Sequence, residues 1–374
     1  MFYLKYRPKT VQDIDNSRVR DVVFNVLKSE SLPHAFLLIG QKGTGKTSTA
    51  RIFAKSVNCL KNKFSNLSDL EKTDTVNPER HKKTGSVEKV NKSSMEPCNL
   101  CENCLAIDHS SSGDVVELDA ASNRGIENIR NLIRDSNFLP MSNRYRVFII
   151  DEAHMITNDA FNALLKTLEE PPSSVIFILA TTNQEKIPET ISSRCFIINF
   201  GRAKRIDIFS MLKKISLREK IQVDEKLLNL IARYSDSSFR DAAKILEELV
   251  TQNKLTYEQG RQFLGVIRDD LLEGLVHHDL KASLEWVEEF SKSGGNVKNL
   301  IEFLLEELHT ALLLKNGVKI EEGSDLNLKT EQIVKLMKLL TEAYNNLKIS
   351  PIESLPLEIA IVEFYSYNFK KQSL

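Results

Sequence analysis

The sequence has no excess of either charge. Its 51 lysines and arginines balance 51 aspartates and glutamates, for a formal net charge of zero. That excludes a uniformly basic nucleic-acid coat, though not a local basic patch. Long apolar runs are also missing. None approaches the about 18 residues that a membrane-spanning helix requires. The opening Met1-Phe2-Tyr3-Leu4-Lys5 lacks the apolar core of a signal peptide. A cytoplasmic protein without membrane contact is expected. Cysteine is scarce, five in 374 residues, and disulfides do not persist in a reducing compartment. The five therefore need another explanation. The length suits two or three domains. Hydrophobic content of 41% and charged content of 27% are those of an ordinary soluble globular protein.

What is present is organised around Gly40-Gln41-Lys42-Gly43-Thr44-Gly45-Lys46-Thr47, which fits the phosphate-binding pattern G-x-x-x-x-G-K-[ST]. A glycine-rich turn could match by chance, so context decides. The preceding Ala35-Phe36-Leu37-Leu38-Ile39 reads as a buried parallel strand. Thr44 to Val57 reads as a helix with Ile52, Phe53 and Val57 on one face. Glycines let the backbone curl so that N–H groups face phosphate oxygens, and the helix N-terminus adds its positive end. Lys46 would reach the outer phosphates of ATP and the Thr47 hydroxyl would hold Mg²⁺. Residues Gly40 to Thr47, with Thr49 behind them, are the candidate nucleotide ligands.

Four cysteines form a second pattern: Cys59, then Cys98, Cys101 and Cys104 in two overlapping C-x-x-C steps. Four thiolates are the ligand set of a tetrahedral structural Zn²⁺ site. An iron–sulfur cluster is the rival, and free loop cysteines are the bland alternative. His81 reads as a solvated loop residue. The gap from Leu60 to Pro97 is polar and charged, without enough large apolar residues for a core. It reads as an insertion hung on the cysteine module. Cys195 stands apart and reads as a small core residue.

The chain then alternates strands and helices. Asp114 to Leu118 is a strand, and a helix carries Ile126, Ile129 and Ile133. Arg146-Val147-Phe148-Ile149-Ile150 runs into Asp151-Glu152-Ala153-His154. Downstream of a P-loop this is a Walker B pattern: Asp151 would support Mg²⁺ through water and Glu152 would polarise the attacking water. His154 reads as local packing. Thr157 is expected to cap a helix from Asp159 to Glu170, stopped by Pro171-Pro172. A strand from Val175 to Ala180 ends in Thr181-Thr182-Asn183, polar groups suited to a γ-phosphate or to a simple strand cap. Ser192-Ser193-Arg194-Cys195 precedes a fifth strand, Phe196-Ile197-Ile198. The alternation predicts an α/β fold with a parallel sheet covered on both faces. From Lys204 onward only helical periodicity remains, with stretches at 204–220, 224–234, 238–253, 256–263, 269–277, 279–292, 296–315, 330–348 and 352–368.

These residues resemble the gamma/tau subunits of the bacterial DNA polymerase III clamp loader, a family of AAA+ ATPases. The resemblance covers residues 1–260 and, more weakly, the helical remainder. It is carried by Tyr6-Arg7-Pro8, His34-Ala35-Phe36, the P-loop, the four cysteines and Leu118 to Gly125. Further carriers are Ile150 to Met155, Phe161 to Pro172, Ser193-Arg194-Cys195 and Phe239-Arg240-Asp241-Ala242. The resemblance implies an AAA+ ATP-binding domain at 1–202, with a zinc module and insertion at 59–104. A helical lid at 203–266 and a helical collar that oligomerises at 267–374 follow. It implies that Arg194 is an arginine finger acting on a neighbour's ATP. Arg240 is then the sensor-2 arginine on the subunit's own ATP, and Thr182 occupies the sensor-1 position. It places Lys166 and Arg124 toward primed DNA. The implied partners are delta and delta-prime subunits in a hetero-pentameric ring, and the sliding clamp beta. The implied activity is ATP hydrolysis within a DNA polymerase holoenzyme, by a chain with no polymerase site of its own.

Three departures stand against that pattern. The loop between Cys59 and Cys98 is longer than the family leads one to expect. Ile14-Asp15-Asn16-Ser17 replaces the usual Val-Gly-Gln, which weakens an adenine-pocket assignment there, and the collar diverges. The chain ends before the family's long tail, so a short, gamma-like form is expected. Two other readings compete. A Holliday-junction or replication-restart motor would lack the four cysteines. A non-hydrolysing ring member like delta-prime would have a degenerate P-loop, unlike Lys46, Thr47 and Asp151-Glu152.

Overall fold

The computed structural model describes residues 1–64, 94–122, 125–264, 271, 275, 279–292, 295–318 and 326–372. It divides into two units, Met1–Tyr257 and Glu258–Leu374. Arg124 and the helical stretch expected at 269–277, apart from Leu271 and Leu275, lie outside the described residues, as does most of the charged insertion.

The first unit is built on five parallel strands: β1 (Ala35–Gly40), β2 (Val115–Asp119), β3 (Arg146–Asp151), β4 (Val175–Thr181) and β5 (Phe196–Gly201), ordered β2-β3-β4-β1-β5. Strands β1 and β4 are buried along their whole length, which is why they read as unbroken apolar runs. Alternate side chains feed two cores. Phe36, Leu38, Val147, Ile149, Ile176 and Ile178 pack on one face with helices α2 (Ser17–Lys28) and α3 (Lys46–Asn58). Leu37, Ile39, Phe148, Ile150, Phe177 and Leu179 pack on the other. There they meet the helix α5 (Ile126–Ser136) through Ile129 and the helix α6 (Asn158–Glu169) through Phe161 and Leu164. Each such side chain contributes about 1.5–3 kcal/mol of burial. The registers bring β1, β3 and β4 to a common carboxyl edge, with Leu37 opposite Leu179 and Phe148 opposite Phe177. Ligands of open α/β sheets bind at that edge.

Helix α1 is a single turn (Phe2–Lys5), helix α4 (Glu102–Asp108) carries Cys104, and α7 is another single turn (Glu189–Ser192). Thr157 sits at the α6 N-cap, but its side chain makes no capping bond, and the helix begins at Asn158. The helices α8 (Arg205–Glu219), α9 (Glu225–Tyr234) and α10 (Phe239–Thr251) bury Ile208, Leu212, Leu227, Ile231, Leu246 and Leu249. Asp224 caps α9 through the Lys226 N–H, and Ser238 caps α10 through the Asp241 N–H. The N-terminal segment runs against these helices. The Phe2 N–H donates to Glu247, and Lys5 and Tyr6 both donate to Glu219 at 2.6 Å.

The second unit is helical: α11 (Leu280–Lys292), α12 (Val297–Lys315), α13 (Thr330–Asn346) and α14 (Leu355–Gln372). Leu300, Leu304, Leu308, Leu336, Leu340, Ile361 and Phe364 form its core, with Leu271 and Leu275 beside them.

Candidate functional site: a nucleotide cleft and a four-cysteine knot

Strand β1 ends at Gly40, where an added Cβ would meet Phe200 at 2.7 Å. The loop then turns through Gly43 (φ +79°) and Gly45 (φ +98°), left-handed conformations that glycine adopts without strain. At Gly43 a Cβ would also lie 2.0 Å from the Ser238 hydroxyl, so the α10 N-terminus leaves room there for backbone alone. Helix α3 begins at Lys46 and aims its N-terminus into the cleft.

Lys46 donates to the carbonyls of Gly40 (2.8 Å) and Gln41 (2.9 Å). Burial pulls its pKa below the ordinary lysine value, against the opposing pull of Glu152 and Asp151. The Thr47 hydroxyl donates to Asp151 Oδ2 at 2.6 Å, and Asp151 Oδ1 accepts from the Glu152 N–H. Glu152 is left-handed at φ +50°, an uncommon conformation for a residue with a side chain. Its carboxylate accepts from Thr182 Oγ1 at 3.2 Å. Gly40 to Thr47, Asp151, Glu152 and Thr182 thus converge at the ends of three adjacent strands, while Thr49 is buried behind the loop. Arg240 lines the same cleft from helix α10.

One residue in this cleft, and one beside it, bear on what sequence reasoning could place. Arg7 lines it and donates from Nε to Ser48 Oγ at 2.8 Å. Burial, then Arg51 and Arg240, hold its pKa below the usual arginine value. Its Tyr-Arg-Pro setting marks a resemblance and says nothing of place. His154, read as packing, lies with Nδ1 3.4 Å from Glu152 and 3.2 Å from Thr181 Oγ1. Ile14, Asp15 and Asn16 also line the cleft, although their sequence departs from the expected pattern. The residues fit a nucleoside triphosphate. Glycines leave open backbone, two arginines and two lysines line the cleft, and a threonine is paired with a carboxylate, a donor set that would suit Mg²⁺.

Arg194 is placed differently. Nη1 donates to the Thr190 carbonyl (2.6 Å) and Nη2 to Glu169 Oε1 (2.5 Å). Lys166 is exposed on α6. Cys195 is partly buried against the second core, and burial pushes its thiol up to about 12.

The Sγ atoms of Cys59, Cys98, Cys101 and Cys104 all lie within 4.8 Å of one another. Cys59 accepts N–H bonds from Lys61 and Cys98, and Cys98 accepts them from Leu100 and Cys101. The hydrogen bond to Cys101 pushes the Cys59 thiol up to about 12, and Cys101 and Cys59 push Cys104 up as well. Thiolates this crowded repel one another unless a cation lies among them, so the donor set suits Zn²⁺.

The module is more than an appendage. Asn58 at the end of α3 donates to the Tyr145 carbonyl (3.0 Å) and accepts the Tyr145 N–H (2.9 Å). Lys55, 1% exposed, holds Asn99 at 2.7 Å and Asp108 at 2.8 Å. Glu96 accepts the N–H groups of Val11 and Gln12. The bases of the insertion are therefore pinned to the nucleotide domain.

Comparison with known proteins adds the lineage. A family model described as DNA polymerase III, delta subunit, matches residues 86–204. DNA polymerase III subunit gamma of Buchnera aphidicola subsp. Baizongia pistaciae is 30% identical over 98% of this chain and 96% of its own length. Subunit tau of Bacillus subtilis is 32% identical over 96% of this chain, which spans 62% of that protein. Among solved structures, the Thermotoga maritima RuvB Holliday junction branch migration motor aligns with a TM-score of 0.46 at 15% identity, over 80% of this chain and 91% of that one. The Bacillus subtilis clamp loader delta protein aligns at 0.39 and 11%, over 93% and 99%. Near-complete coverage of a 30% identical gamma subunit places the lineage: the chain belongs to the gamma/tau subunit family of DNA polymerase III.

Proposed function

We propose that the chain is the ATP-hydrolysing subunit of a clamp loader, acting in the cytoplasm to place the sliding clamp beta on primed DNA. The observation that carries this reading is the Thr47–Asp151 bond of 2.6 Å beside the Glu152–Thr182 pair. These four groups, from three strand ends, make one site for a metal-bound phosphate and an attacking water. Among the described residues no helix is long and apolar enough to cross a membrane.

In this reading the P-loop N–H groups and Lys46 hold the phosphates of ATP, and Lys46 exchanges its two carbonyl partners for phosphate oxygens. Thr47 would hold Mg²⁺ and Asp151 would support it through water, and the ion would neutralise phosphate charge. Glu152 accepts a hydrogen bond from the attacking water and draws off its proton. Thr182 orients the Glu152 carboxylate, and Arg240 carries the lid's response to its own subunit's nucleotide. Arg194 completes the site of the adjacent subunit in a hetero-pentameric ring with delta and delta-prime. Cys59, Cys98, Cys101 and Cys104 would hold Zn²⁺ as a structural ion. The ATP-binding domain at 1–202, the lid at 203–266 and the collar at 267–374 divide this work.

The test is ATP turnover by the assembled complex, with and without clamp and primed DNA. Stimulation by the two together is expected. A rate indifferent to both would favour a motor of another kind, and no turnover at all a structural ring member.

A further inference from the structure

We propose that Glu169 is a latch on Arg194, holding its guanidinium on its own subunit until a neighbour's phosphate displaces the carboxylate. The inference rests on the reading of Arg194 as a group that acts on the adjacent subunit.

The geometry is specific. Arg194 follows the single turn α7, and Glu169 is the last residue of α6. Nη1 donates to the Thr190 carbonyl at 2.6 Å and to Ser193 Oγ at 3.3 Å, while Nη2 donates to Glu169 Oε1 at 2.5 Å. Three contacts on two nitrogens fix the plane of the guanidinium. Two of them are neutral and leave its charge intact. The third cancels it.

That cancellation has a consequence for a group meant to stabilise phosphate. A guanidinium paired with a carboxylate brings no net positive charge to a polyphosphate, and the carboxylate repels the same oxygens. Arginine must release Glu169 before it can serve in trans. The hold is modest, because the side chains are 34% and 49% exposed and water screens them. An exposed ion pair of this kind shifts an equilibrium by about two- to fivefold. A multiply charged phosphate with matching fork geometry displaces it. Glu169 thus acts through Arg194 and touches no substrate itself.

The experiment measures ATP turnover of the assembled complex, with and without clamp and primed DNA. The variants are Glu169→Gln, Glu169→Asp, Arg194→Ala and the double substitution Glu169→Gln/Arg194→Ala, each first shown to assemble into a complex of unchanged mass. Glu169→Gln is expected to raise the unstimulated kcat by about two- to fivefold. It should leave KM for ATP and the stimulated rate unchanged, because the nucleotide's own ligands are untouched. Glu169→Asp should restore the low unstimulated rate, and the double variant should match Arg194→Ala. An unstimulated rate unchanged or lowered in Glu169→Gln, while Arg194→Ala abolishes turnover, overturns the latch and leaves Arg194 in its role. Full turnover in Arg194→Ala overturns the role of Arg194, and the latch with it.

Discussion

Helix α3 has two ends, and they are built for opposite tasks. At its N-terminal end the P-loop turns through two left-handed glycines, and Lys46 donates to two peptide carbonyls. Those partners are ones a ligand can replace. At its C-terminal end Lys55 is fully committed to Asn99 and Asp108, Asn58 bridges both backbone groups of Tyr145, and Cys59 enters the sulfur cluster. One end keeps its donors lightly engaged so that a nucleotide can come and go. The other engages Lys55 and Asn58 with internal partners, as buried polar groups require, although the buried Ser56 hydroxyl finds none among the described residues. Reversible and permanent binding therefore differ here in the strength of the internal partners, more than in the presence of charge.

The sharpest way to break that contrast is at the open end. Lys46→Ala should abolish nucleotide binding, since the phosphates lose their buried cation. Glu152→Gln should keep binding and lose turnover by about 10²–10⁴-fold, because only the proton acceptor is gone. Fluorescent-nucleotide titration and phosphate release read the two effects separately. A Glu152→Gln variant with full turnover would remove Glu152 from the chemistry.

The closed end should answer in stability rather than in turnover. Lys55→Met keeps the stem but strands Asp108 and Asn99; Asp108 is 27% exposed, so water takes up part of the loss and the cost is about 1–3 kcal/mol. Chelation of the cysteine site should destabilise the same region. If both act on one knot, their effects on thermal unfolding should be clearly less than additive. Metal analysis should find one zinc per chain. Full additivity, or a chain without zinc, would separate Lys55 from the cysteines.

The same contrast explains what the sequence discloses. Lys46, Thr47, Asp151, Glu152 and the cysteines are legible because each chemistry demands a fixed local spacing. The sheet is legible because both of its faces are buried, which turns strands into apolar runs. Arg7 is not legible, because its partner Ser48 lies 41 residues away and only folding joins them. Lys55 fails for the same reason, as do Asp15 and the Glu169 partner of Arg194. Thr157 shows the reverse error: a capping residue in the right place whose hydroxyl makes no capping bond.

A smaller effect should appear beside the open end. Burial pushes the Asp15 carboxyl up to about 6, although Lys214 at 3.7 Å pulls it down. Its folded pKa exceeds the unfolded value of about 3.9. Its contribution to stability is then fully present below that unfolded value and is lost as pH rises through about 6. Asp15→Asn removes the charge that is costly above that range. The variant should gain roughly 2 kcal/mol at pH 8 by denaturant unfolding. The gain should shrink as pH is lowered toward 5. A gain independent of pH would mean that packing, and not charge, sets the difference.

The smallest effect is expected outside the nucleotide cleft, on the exposed surface of α6. Phe161, Leu164 and Leu168 are buried beneath that helix, which leaves Lys166 exposed. Net charge is zero, so any grip on DNA must come from a few placed cations touching phosphates. A solvated lysine that touches nothing is the alternative. Phosphate contacts carry no base information, so Lys166→Ala should weaken primed-DNA binding by a similar few-fold whatever the sequence. It should also flatten the log–log salt dependence by about one unit per lost contact. ATP turnover without DNA should not change, because Lys166 lies outside the nucleotide cleft. Fluorescence anisotropy over a salt series, with two unrelated primed duplexes, makes both comparisons in one experiment. An unchanged slope would return Lys166 to the solvent, and a loss confined to one duplex would make it a reader of bases.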